Sequence, residues 1–111
     1  MKRMIEDILI KCGCEVREKG FSYITETIIF MIQNPDVKLV SVYESVSKDK
    51  FLTPHNIQHG MRNSMKRIME NGDSVLVSHY FGKNNKLSNC LYNFAWRIKR
   101  EMEDAANESI D

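Results

Sequence analysis

The pair Thr53-Pro54 opens the stretch that most restricts how this chain folds. A threonine hydroxyl caps free backbone N–H groups at a helix start, and proline suits the first helical position, where its missing N–H costs nothing. From there to Gly72, Ile57, Met61, Met65 and Ile68 recur at helical spacing, with Ser64 among them. The pattern predicts a helix over about 54–71 with one apolar face. On the opposite face His55, His59, Arg62, Asn63 and Lys66 fall within roughly 80° of arc, with Gln58 just beside them. No acid stands between His55 and Arg67. A helix face that merely meets water mixes signs in i, i+4 pairs; this one carries only cations and hydrogen-bonding groups.

The rest of the chain reads as further helices. Met4, Ile5, Ile8, Leu9 and Cys12 mark an amphipathic first helix, and Gly13 stands where a left-handed residue would end it. Residues 14–20 read as a connecting loop, and Ser22 as the cap of a second helix over 23–33, stopped by Asn34-Pro35-Asp36. The β-branched run at 37–43 suits a strand, but Leu39, Val42, Tyr43 and Val46 also fit a helix. No convincing second strand exists to pair with it, so a helix is expected, followed by a turn over 48–52. Ser74 is read as the cap of a short segment to Tyr80, ended by Gly82, with a polar loop over 83–87. Ser88 opens a last helix with the stripe Leu91, Phe94, Ala95, Ile98 and Met102. The expected fold is all-α, about six helices with a helix-turn-helix whose recognition helix is 54–71. One helical DNA-binding domain is expected over 1–106, and an acidic, frayed tail over 107–111.

Size and composition narrow the function. A chain of 111 residues holds one modest core. Its longest apolar run, 28–32, is far short of the ~20 residues of a membrane span. Acids interrupt the N-terminus at once, so no export signal is read there. Three cysteines make no disulfide framework, and a reducing cytoplasm, at the nucleoid, is the expected location. The net charge of +1 hides an asymmetry: all 16 Lys and Arg lie in residues 1–100, and five of the 15 acids in the last eleven. A basic body with an acidic tail is compatible with nucleic-acid binding.

Gln, Asn, Arg and Lys on a helix match the hydrogen-bonding edges of bases in the major groove. Gln58, His59, Arg62 and Asn63 are the candidate base readers, and Ser41, His55, Lys66 and Arg67 the candidate backbone contacts. The bland alternative for that face is plain solvation. His55 and His59 have the spacing of a helical zinc pair, but Asn56 stands where the hydrolase motif has its glutamate, and no third ligand is evident. No metal and no cofactor are expected. Cys12-Gly13-Cys14 is spaced too tightly for a zinc or thioredoxin-type pair, and Cys12 reads as core. Arg97, Lys99 and Arg100 beside Tyr92 and Trp96 form either a second phosphate-contacting patch or a helix end whose cations meet the dipole. No nucleophile elbow, phosphate loop or carboxylate pair marks an enzyme.

The stretch Lys19-Gly20-Phe21-Ser22-Tyr23-Ile24 with Glu26-Thr27-Ile28 resembles the opening of the DNA-binding effector domain of the sporulation master response regulator of endospore-forming bacteria. The resemblance continues without a gap through Val42-Tyr43, Val46, Thr53, Ile57, Met61-Arg62, Met65 and Gly72. It is looser at Phe81-Gly82, Ser88-Asn89 and Phe94, and covers roughly residues 4–102. The resemblance implies a six-helix transcriptional regulator that binds double-stranded promoter DNA side by side with a second copy and acts with RNA polymerase. The family's phosphoacceptor receiver domain has no room in 111 residues, so none is expected here. Two departures stand out: a shorter connection between the second and third helices, and Gln58-His59 in place of the family's Glu-Arg base readers. The expected function is sequence-specific DNA binding. The rival is a protein-interaction module that keeps the fold and binds a transcription factor or polymerase instead of DNA.

Overall fold

The computed structural model describes residues 1–83 and 86–110 and is all-helical. Its elements are α1 (Lys2–Lys11), α2 (Lys19–Gln33), α3 (Leu39–Asp49), α4 (Pro54–Asn71), α5 (Ser74–Phe81) and α6 (Leu87–Ile110). Among the described residues there is no strand; the ambiguous run at 37–43 leads into α3, because Val42, Tyr43 and Val46 turn together into the core.

α2 is the central element, packed against α1, α3, α4 and α6. Its closest partner is α4, and two glycines permit the approach. A Cβ on Gly20 would fall on Ser64 Oγ and the Gly60 carbonyl, and one on Gly60 would meet the Tyr23 ring at 2.7 Å. Around this crossing Ile5, Leu9, Ile24, Ile28, Ile57, Met61 and Ile68 are fully buried. α5 and α6 close the other side through Phe81 and Phe94, whose ring centroids lie 4.6 Å apart.

Sequence cues and structure agree at α4. Thr53 Oγ1 accepts from the Asn56 N–H at 3.1 Å, and Pro54 begins the helix. Elsewhere boundaries move. α2 begins at Lys19, inside the expected 14–20 loop, and the Ser22 hydroxyl donates back to the Lys19 carbonyl at 3.3 Å instead of capping. The tight crossing at Gly20 outweighs glycine's poor helix propensity. α3 continues to Asp49, into the expected turn. Asp73, not Ser74, caps α5: its Oδ1 accepts from the Leu76 N–H at 3.0 Å, and a carboxylate also meets the positive end of the helix. α6 starts at Leu87, which is buried, one residue before Ser88. Asn84 and Asn85 of the expected polar loop lie outside the described residues. α6 continues past Ala106 to Ile110, where fraying is expected, and Asp111 lies outside the description.

Two helix ends share one closing pattern. At α1 the Gly13 N–H bonds the Ile10 carbonyl at 3.0 Å and the Cys14 N–H bonds that of Leu9 at 2.9 Å. At α3 the Phe51 N–H bonds the Lys48 carbonyl at 3.2 Å and the Leu52 N–H bonds that of Ser47 at 2.9 Å. The pattern needs a left-handed residue just after the cap. α1 has glycine there, at φ 95°; α3 has phenylalanine, at φ 57°.

Candidate nucleic-acid interface

The apolar stripe of α4 faces α2 and α3, so its polar face turns outward as the spacing predicts. His55, His59, Arg62, Asn63, Lys66 and Arg67 are exposed and Gln58 is half-buried. They are organised one helical turn apart. Arg62 Nη2 donates to Gln58 Oε1 at 3.3 Å, and Asn63 Nδ2 lies 3.3 Å from His59 Nε2. The rings of His55 and His59 stack with centroids 6.4 Å apart. Long, weak contacts of this kind hold the side chains in a row yet are easily exchanged for contacts to a ligand. Ser41 is exposed on the first turn of α3.

Arg67 behaves differently from its neighbours. Its Nη1 donates to Glu18 Oε1 at 2.6 Å, while 59% of the Arg67 side chain stays exposed against 8% for Glu18. Glu18 Oε2 also accepts from Ser64 Oγ at 2.9 Å and from the Cys14 thiol at 3.4 Å. Burial alone pushes the Glu18 carboxyl up. Hydrogen bonds from Arg67, Ser64 and Cys14, with the Arg67 charge, outweigh burial and hold it below the usual value. Glu18 thus anchors the start of α2 to the middle of α4. Its two partners on α4 are 46 and 49 residues away in sequence, so nothing local marks the anchor. The one trace is Ser64, a polar residue set in an apolar stripe.

The second basic cluster is on α6. Arg97 and Arg100 lie over the Trp96 ring at 4.9 and 5.4 Å from its centroid, and Arg97 Nε donates to the His79 carbonyl at 3.0 Å. Trp96 and Tyr92 remain 54% and 52% exposed beside an open cleft of about 410 Å³ that Met31, Pro35, Val37 and Lys99 help line. The end of α6 lies ten residues beyond Arg100, so neither arginine meets the dipole of its own helix; both lie over Trp96, and Arg97 bonds a carbonyl in the last turn of α5.

Cys12, Cys14 and Cys90 are buried free thiols. Burial pushes Cys12 up to about 11 and Cys14 to about 12, the latter helped by its bond to Glu18, so neither is a ready nucleophile. Among the described residues no group of three His, Cys, Asp or Glu is arranged to hold a metal ion, and no helix is long and apolar enough to cross a membrane.

A six-helix domain that buries one face of α4 and offers the other as a row of cations and amides has the build of a small transcription-regulator domain. Residues 5–93 match the family described as the C terminal of sporulation initiation factor Spo0A, and the chain belongs to that family. It is a family of DNA-binding regulators of sporulation, not of enzymes. No curated protein and no solved structure matches the chain closely enough to carry an argument.

Proposed function

We propose that this chain is a sequence-specific DNA-binding transcription regulator that uses α3, the turn over 50–53 and α4 as a helix-turn-helix, with α4 in the major groove. The observation that carries the reading is the outer face of α4 from His55 to Arg67, which holds no acid and whose readers are tied to one another. Gln58, His59, Arg62 and Asn63 contact base edges. Gln58 donates and accepts together, which suits adenine, and Arg62 suits guanine. Ser41, His55 and Lys66 contact phosphates, as does Arg67, which keeps an exposed side chain while Glu18 fixes its direction. The protein acts at the nucleoid, where copies sit side by side on DNA and contact RNA polymerase.

A second reading, a protein-interaction module, is favoured by one observation: Tyr92 and Trp96 stand half-exposed at an open cleft. Fluorescence polarisation with a random duplex pool, followed by selection of bound sequences, separates the two. A recovered motif supports the DNA reading. Absence of binding at low salt favours the interaction module.

A further inference from the structure

We propose that Phe51, in the turn between α3 and α4, is a DNA-contacting residue that packs its ring on the apolar surface of the duplex beside the bound groove.

Phe51 combines two unfavourable features. Its φ of 57° places a bulky side chain in the left-handed region, and its ring is 97% exposed. Left-handed backbone is disfavoured for residues with a Cβ, and glycine or asparagine is the usual occupant of this position in the closing pattern of a helix. The backbone there is held fast. The N–H groups of Lys50, Phe51 and Leu52 all bond back to carbonyls of the last turn of α3 at 2.9–3.2 Å. Lys50 also pairs with Glu26 at 2.9 Å and lies over the Tyr23 ring. The turn is therefore rigid, and the ring contributes nothing visible to the fold. Strain retained together with exposure at a fixed position is the mark of a residue kept for a contact outside the molecule.

Location selects the occupant. Phe51 lies two residues before the Thr53 cap, at the end of α4 that carries His55, Gln58 and His59. Its charged neighbours in the chain are Lys48, Asp49 and Lys50, of which Lys50 is paired with Glu26, so the positive charge nearby is that of the α4 face. The only other large apolar side chain exposed in that segment is Leu52, at 36%. A protein partner calls for a contiguous apolar patch, whereas a ring with only Leu52 exposed beside it, next to the His55–Arg67 stretch of α4 that holds no acid, suits duplex DNA. Deoxyribose and the thymine methyl are the two apolar surfaces on offer, and phenylalanine matches the latter in known grooves.

The inference rests on the DNA reading above, and its test keeps the two apart. Wild type, Phe51→Gly, Phe51→Asn and Phe51→Tyr are compared for thermal unfolding and for polarisation binding to the best duplex from the random-pool selection. Gly and Asn relieve the backbone, so Phe51→Gly should raise Tm by about 4 °C or more. Both should weaken binding about fivefold to tenfold, the loss of a partly buried ring, while Phe51→Tyr keeps near-wild-type affinity. Opposite signs in stability and binding are not expected of a merely structural residue. Repeating the selection with Phe51→Asn distinguishes the surfaces: loss of one thymine means the methyl, and a uniform drop means the sugar. Unchanged binding by the Gly and Asn variants of a duplex that wild type binds overturns the inference and spares α4. Loss of promoter activation with binding intact overturns it too, because the ring then serves a protein. No duplex binding by wild type overturns both readings at once.

Discussion

The ends of α1 and α3 are closed by the same backbone hydrogen bonds and finished in opposite ways. After α1, Gly13 takes the left-handed position, and Cys12 and Cys14 on either side of it are buried, so the chain turns back into the core. Four residues later Glu18 fastens this corner to α4 through Ser64 and Arg67. After α3, Phe51 takes that position with its ring in solvent, Leu52 is partly exposed, and the chain enters the outward-facing helix. The first corner follows the cheapest local chemistry, and the second departs from it with no compensating contact among the described residues. The difference separates a corner shaped by the fold from one shaped by what lies outside it.

If the α3–α4 corner and α4 face DNA, ionic strength should have the largest effect of any variable. Neutralising ~4–6 phosphates gives a log–log slope of about −4 to −5, so affinity should fall roughly 300- to 1,000-fold between 50 and 200 mM salt. Polarisation titrations at several salt concentrations measure this directly. A slope near zero would erase the outward-facing half of the comparison.

Arg62→Ala comes next. Arg62 lies one turn beyond Gln58 on the exposed face and is bonded there only at long range, 3.3 Å. Removing a bidentate guanine contact should cost ~1–3 kcal/mol of binding and relax specificity at one base pair. Equal weakening on every duplex tested would place Arg62 on the backbone instead.

The corners themselves should respond to substitution with opposite signs. Gly13→Ala puts a side chain at φ 95°, where the new Cβ has room, 3.5 Å from Gly72 Cα, but the backbone does not suit it. The expected loss is ~1–2 kcal/mol in urea unfolding. Phe51→Gly, at the equivalent position of α3, should gain ~1 kcal/mol in the same assay. Losses at both positions would show that Phe51 supports the fold after all, and the contrast between the corners would disappear.

These corners also show which parts of the molecule are written locally. Thr53-Pro54 and the stripe from Ile57 to Ile68 lie within one helix, so α4 and its polar face can be read from neighbours in sequence. Gly13 is equally plain, since its residue type matches its backbone. Gly20 misleads: it looks like a loop residue, and only the distant Ser64 and Gly60 explain why a helix needs it. Ser74 and Asp73 are both competent caps, and one residue of offset decided between them. Phe51 carries no mark at all, because nothing in a phenylalanine announces a left-handed backbone. Of the site, the face was legible; the anchor behind it, which joins residues 46 and 49 apart, was not.

That anchor supplies the smallest expected effect and a pH signature. Glu18→Gln keeps the shape of the side chain and removes its charge. Arg67 faces water over 59% of its side chain, which screens the pair, so the loss at neutral pH should stay below ~1 kcal/mol. Burial opposes the charged form of Glu18, but the bonds from Arg67, Ser64 and Cys14 outweigh it, and the folded-state value lies below the unfolded one. For an acid with that sign the carboxylate's contribution is fully present above the unfolded value, about 4.3, and is lost as pH falls through the folded one. Wild type and Glu18→Gln should therefore differ by a constant amount from pH 7 to about pH 5, and the gap should narrow as pH falls below the unfolded value, about 4.3. Urea unfolding of both proteins at pH 7, 5, 4 and 3 measures the difference. A gap that stays constant down to pH 3 would mean that hydrogen-bond geometry alone fastens α2 to α4, and that the charge of Glu18 is incidental to the closed corner.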